Sequence, residues 1–600
     1  MRPICFVALL LVACLCPRAD ASPPVSAVVV IEGLTWRQIE GGEVGGLYVL
    51  AHHGAAGLMS IGASADDAQR FALTLQTGRR LAPVPAETPE RLRRRYASLR
   101  WLTDELARAG VEVTLHLEPS REHLRPLLAP PSVPNAPSAQ VQIWWIAGDS
   151  DAIGRSLERA IGALQPDRDR VLIIGLPPGG ERLSPIIAAG AGLATGMLTS
   201  ATTRTKGLVS NVDLAPTILR WHNVPLRAGE HPMRVTREDP FSGVQRLARL
   251  LQWNAQGLIP VGVLQVGGGL LAVLGVLRLI RQRGAAHRKR LLLSVALVAL
   301  LSLPAGTVLT PYLSAATIWQ YVGTIMLLAG WLSLLAHWGV WHEPFRAYVR
   351  ACALNVLVIV ADAIAGQHGV KSSMYSAYAL SGFRFYGIGN EMMGVLVGSA
   401  LTWGLYGLGA TLRAAVWLFT ALVLATPAWG ANLGGLLTSA TGLGCAWEWS
   451  KKRKLSQAAP CVSWLFVGVL AAVGIIWLDS LSASPSHLGD AWLRWQERGW
   501  MAVQETLLSK LALTARVLLD PLAWAVMLVI LLAIGVMQRS GMFTTWRNMR
   551  QTEYLPWLIC MGAAFVFNDS GFVPAAAILS IGLGALLTRK LQEVQSGPST

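Results

Sequence analysis

The sequence predicts an α/β extracytoplasmic domain with a mostly parallel sheet, followed by an all-α polytopic membrane bundle of about 11 helices. Three observations lead there. Hydrophobic residues are 53% of the chain and charged residues 14%, too little polar surface for a soluble protein of 600 residues. The apolar character is uneven: residues 22–256 alternate short apolar runs with helical patterns, and long apolar stretches fill 257–590. Lys and Arg then cluster between those stretches, as at 278–290 and 451–454. That spacing reads as cytoplasmic anchoring. It argues against nucleic acid as a partner despite the formal net charge of +16.

Residues 1–21 have the form of a secretory signal. Arg2 supplies the positive start, ICFVALLLVACLC the short apolar core, and Ala19-Asp20-Ala21 an A-x-A cleavage site. LVAC at 11–14 also has the form of a lipoprotein box, with Cys14 as the lipidated residue. Cleavage after Ala21 is preferred, because the apolar run continues past Cys14; an uncleaved anchor is the third reading. None of the seven cysteines lies in 22–256, so that domain has neither a disulfide framework nor a thiolate metal site.

Within 22–256, VSAVVVI (25–31), VEVTLHL (111–117), VQIWWIA (141–147) and RVLIIGL (170–176) are predicted as buried strands. A helix is predicted over 88–110, with Thr88 as N-cap and Gly110 as stop, and another over 151–164. Strands alternating with helices predict the parallel sheet.

Beyond residue 256, spans are placed near 258–279, 291–309, 317–336, 347–365, 391–410, 413–429, 432–449, 461–478, 518–537, 554–567 and 571–588. A tail over 591–600 follows. With the first domain outside, the inner loops carry 18 Lys/Arg and the outer loops six. The asymmetry places the C-terminus in the cytoplasm, as expected of a multi-pass plasma-membrane protein.

Four polar groupings then fall on the outer side: Arg384, Tyr386, Asn390 and Glu391; the turn Trp429–Gly435 with Asn432; Asp479 with Ser486–Asp490; and Asn568–Gly571. Asp362, near the outer end of the fourth span, could join them. Outer loops are often merely polar, and NDSG is a good turn sequence. GFRFYGIGNE (382–391) is different, because its ionisable residues lie within a few positions of hydrocarbon. Two readings stand: an Arg384–Glu391 pair that ties the bundle together, or a site at the outer interface. In the second, the candidates for chemistry are Arg384, Glu391, Asp479, His487 and Asp569. The candidates for substrate binding are Tyr386, Asn390, Asn432, Asn568, Lys510 and Arg516. Residues 491–518 read as an amphipathic helix, with interfacial Trp492, Trp495 and Trp500 and basic Arg494, Arg498, Lys510 and Arg516. Cations beside headgroups favour membrane lipids and an anionic, lipid-linked substrate as partners.

VDLAPTIL (212–219), VVVIEGLTW (28–36) and YVLAHHGAAGLMSIGAS (48–64) resemble segments of the alkaline phosphatase superfamily, which includes sulfatases and cofactor-independent phosphoglycerate mutases. The bundle, with RFYGIGNE, GANLGG, SHLGD and NDSG, resembles that of bacterial multispanning proteins carrying such a domain. The resemblance implies two divalent metals and a Ser, Thr or Cys nucleophile. Here the first-strand Asp position holds Glu32, the nucleophile region offers Ser60 or Ser64, and the late strand VLIIGLPPGG lacks an Asp-His pair. Glu32 and Asp213 are the metal candidates that remain. The expectation is a degenerate domain without a cofactor that binds a phosphorylated or lipid-linked glycan. The alternative is an active metal-dependent phosphohydrolase or phosphotransferase anchored by the bundle.

Overall fold

The computed structural model describes residues 24–596 except 45, 63–67, 80–86, 98, 131–138, 179–181, 228, 283–286, 377–383, 451–458, 483–485 and all but scattered positions of 501–550. The chain divides into two compact units, Met1–Leu250 with Tyr378–Phe385, and Leu251–Ala377 with Tyr386–Thr600.

The first unit is built on a nine-stranded sheet. Its strands are β1 (Val25–Glu32), β2 (Ala55–Ser60), β3 (Val111–Leu117), β4 (Ala139–Ile146), β5 (Arg170–Leu176), β6 (Leu183–Gly190), β7 (Gly196–Thr199), β8 (Leu208–Ser210) and β9 (Arg234–Thr236). The order is β3-β4-β1-β5-β6-β2-β7-β9, with β8 also paired to β2. Ala27 to Ile31 of central β1 are all fully buried, so both faces of the sheet are covered. The continuous β-branched run VVVI suits that environment, since either pleat direction meets apolar packing.

The sheet departs from the mostly parallel arrangement expected. β1 pairs in parallel with β4 and β5, and β3 with β4, but β6 runs antiparallel to both β5 and β2. β7 and β9 are antiparallel as well. The short connection between β5 and β6 is the cause, because a parallel partner would need a long crossover. The helix expected over 88–110 is two, Pro89–Arg95 and Leu102–Arg108. Between them Arg100 bonds Glu230 at 2.7 Å, Glu105 at 3.1 Å and the Pro225 carbonyl at 2.8 Å. Those tertiary bonds hold the chain out of the helix that its local sequence favours.

The second unit is helical. Among the described residues, six helices are long and apolar enough to cross a membrane: Pro240–Leu279, His287–Tyr312, Ile318–His337, Pro344–Ile364, Ala459–Ser480 and Phe572–Glu593. Helices Asn390–Gly407, Ala410–Ala425, Leu433–Ser450 and Gln551–Phe567 lie among them. The predicted span 518–537 falls outside the described residues. Trp319, Leu327, Trp338, Phe466 and Leu470 point outward from their helices, as side chains facing lipid do. The interior is packed through small residues. A Cβ on Gly394 would come within 2.7 Å of the Pro574 carbonyl, and one on Gly398 within 3.3 Å of the Ile578 Cα. Helices Asn390–Gly407 and Phe572–Ser596 therefore meet almost backbone to backbone.

Candidate functional sites

In the first unit, Glu32 ends β1. Its Oε1 accepts the Trp145 indole N–H at 2.7 Å and Arg121 Nε–H at 2.6 Å, and its Oε2 accepts Arg121 Nη2–H at 2.8 Å. Burial pushes this carboxyl up, but the hydrogen bonds from Arg121 and Trp145 and the Arg121 charge outweigh it and hold it below its ordinary value. A divalent ion at Glu32 would have to displace both partners and sit beside a guanidinium. The residues here do not fit a metal.

Asp213 is buried. Its Oδ2 accepts the Ser210 backbone N–H at 2.8 Å, closing a capping box, and its other oxygen accepts the Thr202 hydroxyl. Burial pushes this carboxyl up to about 6, against the opposing bonds from Thr202, Ser200 and Ser210 and the charge of His231. Thr217 donates to the Asp213 carbonyl at 2.6 Å and accepts the Met233 N–H at 2.9 Å. Asn211 donates to the Ile61 carbonyl at 3.3 Å. The VDLAPT stretch is thus a clamp that joins the end of β8 to the chain after β2 and to the segment before β9.

The topology places Glu32 and Ser60 on one edge of the sheet, because β2 runs in the same direction as β5 and β1. Two strands intervene, so they stand about 14 Å apart, three steps of strand spacing. A two-metal centre needs ions roughly 4 Å apart. Ser64 lies outside the described residues. Among the described residues, no group of three or more His, Cys, Asp or Glu side chains could hold a metal ion.

In the second unit, two turns lie against each other. Ile388 N–H donates to the Gly430 carbonyl at 2.8 Å, and Gly387 N–H donates to Gln367 Oε1 at 2.6 Å. Gly387 has φ +83, and a Cβ there would fall 2.3 Å from the Gly430 oxygen. The residue must be glycine for both reasons. Gln367 and Ala431 are non-glycine residues in the left-handed region, with φ of 65 and 46. Such strain persists only where the surroundings fix it.

Asn432 joins the turns to the helices. Its Nδ2 donates to the Ile388 carbonyl at 2.9 Å and to Asn390 Oδ1 at 3.4 Å, while its Oδ1 accepts the Gly435 N–H at 2.7 Å. The last bond caps helix Leu433–Ser450. Asn390 begins helix Asn390–Gly407 and donates to Ser570 Oγ at 2.8 Å. Ser570 lies two residues before helix Phe572–Ser596. Asn432, Asn390 and Ser570 therefore tie three helix N-termini together. Asn568 completes the group: its Nδ2 donates to Thr438 Oγ1 at 3.2 Å and to the Ala564 carbonyl at 2.8 Å. Asn568 Oδ1 and Glu391 Oε2 are buried without a hydrogen-bond partner.

Each helix N-terminus presents N–H groups without intrahelical partners and a partial positive charge. Three of them joined at one point favour an anion. Of the predicted residues, Asn390, Asn432 and Asn568 meet here. Glu391 and Asp569 adjoin them in sequence, and Tyr386 is buried in the turn before Gly387. Arg384 belongs to the other unit. Asp479 is committed locally: its Oδ2 accepts Ser486 N–H at 3.0 Å, Ser486 Oγ–H at 2.6 Å and Gly489 N–H at 2.8 Å, holding the start of helix His487–Arg498. Asp362 does the same for Gly369 and Val370, whose N–H groups it accepts at 2.7 Å. The side chain of His487, and all of Lys510 and Arg516, lie outside the described residues. Ser570 falls within the predicted Asn568–Gly571 grouping; the sequence did not single out Gln367 and Thr438. Their only local signal is proximity to Gly-rich turns.

An α/β unit and a unit of apolar, membrane-type helices define the class of protein. No family model matches the sequence, and no curated protein matches it. Among solved structures, a protein in the alkaline phosphatase superfamily from Vibrio parahaemolyticus is similar at 12% identity and a TM-score of 0.25, over 37% of this chain and 76% of that one.

Proposed function

We propose that this is an integral membrane protein of the cell envelope whose helical unit binds the anionic group of a phosphorylated or lipid-linked glycan at its outer face. The observation that carries this reading is the junction of three helix N-termini through Asn432, Asn390 and Ser570. Backbone N–H groups there would receive the phosphate, and the unpartnered oxygens of Asn568 and Glu391 would accept glycan hydroxyls. Transfer, translocation or modification of the glycan then follows from its position at the outer leaflet.

The α/β domain is, on this reading, a degenerate relative of the alkaline phosphatase superfamily that binds or presents the same substrate. The occupation of Glu32 by Arg121 and Trp145 supports binding without metal chemistry. The test uses the full chain in lipid nanodiscs and a fluorescent polyprenyl-phosphate glycan. Binding should weaken about tenfold in Asn432→Ala or Asn390→Ala, the equivalent of roughly 1.4 kcal/mol. Unchanged affinity in both variants would overturn the site. Bound zinc or manganese with phosphoesterase turnover by the purified chain would instead establish the hydrolase alternative.

A further inference from the structure

We propose that Cys445 and Cys461 form a reversible dithiol–disulfide pair, a modification site independent of the anion site. Their sulfurs lie 3.2 Å apart on consecutive helices, Leu433–Ser450 and Ala459–Ser480. The two helices are in close contact over the turns next to the pair. A Cβ on Gly444 would fall 2.4 Å from the Trp464 ring, and one on Gly468 would fall 2.9 Å from the Ala440 Cβ. Glycine at both positions lets the helices pack this closely, and the packing sets the two thiols facing each other. Closing the bond to about 2.05 Å needs only rotamer adjustment and a small approach.

The two cysteines differ in a way that assigns their roles. Cys461 is partly exposed, in the first turn of its helix, so a dissolved disulfide can reach it. Cys445 is buried. Cys461 is therefore the attacking thiol and Cys445 the resolving one. The oxidant is a low-molecular-weight disulfide such as glutathione disulfide. The Cys461 thiolate attacks one sulfur of that disulfide, forms a mixed disulfide and expels one thiolate. Cys445 then loses its proton and attacks the Cys461 sulfur, and the second thiolate leaves. Two electrons pass to the oxidant and the dithiol's two protons are released. The product staples the two helices, the first of which is capped at its other end by Asn432.

The test treats the full chain in detergent with glutathione disulfide, then alkylates under denaturing conditions and maps peptides by mass spectrometry. The expected result is an intramolecular Cys445–Cys461 peptide, with loss of both alkylated forms, and recovery of both after dithiothreitol. In Cys445→Ser, Cys461 should keep one glutathione adduct; in Cys461→Ser, Cys445 should remain unmodified. The oxidised wild type should melt at a higher temperature than the reduced form, and Cys445→Ser should show no such shift. Reduced Cys445 beside a glutathionylated Cys461 in the wild type would overturn the proposal. So would a cross-link from Cys445 to Cys560, which is buried on helix Gln551–Phe567.

Discussion

Glu32 and Arg121 show how a position that could hold a cation is filled from within. The Arg121 fork supplies two charge-assisted bonds to a half-buried carboxylate, and Trp145 supplies a third. Arg121→Ala should lower stability by about 1.5–3 kcal/mol, the usual range for bonds to a charged group, and chemical denaturation monitored by tryptophan fluorescence would read it. The folded-state value of Glu32 is depressed, so its contribution is present above the ordinary carboxylate range and fades as pH falls through the folded value. Asp213 has the opposite sign. Its folded value is raised from 3.8 to about 6, so the folded state binds the proton more tightly than the unfolded chain between those values. Its contribution should be fully present below about pH 4 and decline by roughly 3 kcal/mol as pH rises through 6. Asp213→Asn should flatten that dependence, measured by melting the full chain at a series of pH values. The sequence singled out both residues as metal candidates. It could not show that Arg121, 89 positions away, and Thr202, 11 positions away, had taken their oxygens.

At the scale of elements, the junction of helix N-termini depends on glycine. A Cβ on Gly434 would fall 2.3 Å from Asn568 Oδ1 and 2.7 Å from the Phe567 carbonyl. Gly434→Ala should cost about 1–3 kcal/mol by overpacking and weaken glycan binding. Asn568→Ala should rescue it only in part, because the Phe567 clash is with backbone. Thermal melts of the single and double variants would give the coupling. Asp479→Ala should speed hydrogen exchange at Ser486–Gly489 and cost about 1 kcal/mol, since it removes the acceptor that caps the following helix. Local sequence revealed β1, β3, β4 and β5 because each is a continuous or alternating apolar run. It did not reveal β2, whose AAGLMS is small-residue sequence, or β6, whose LSPIIAAG contains Pro185. Those two strands exist through pairing with each other and with their neighbours.

For the whole molecule, Lys and Arg clusters predict the orientation, and among the described residues six helices have the length and hydropathy to cross a bilayer. A fluorescent protein fused after the tail should fold and fluoresce, whereas a periplasm-dependent alkaline phosphatase fused there should stay inactive. The reverse outcome would invert the topology. The sequence by itself determined the division into an α/β part and an apolar helical part. Burial periods of two and 3.6 and stretches of some 20 apolar residues are local properties of a chain. It also nominated Asn390, Asn432 and Asn568 as polar residues at span ends. Only the tertiary structure decided that these three belong together with Ser570, that Asp362 also takes the Tyr312 hydroxyl, and that Glu32 is already paired. Hydrogen-bond partners more than 40 residues apart are chosen by packing, and packing leaves no periodic trace in the sequence.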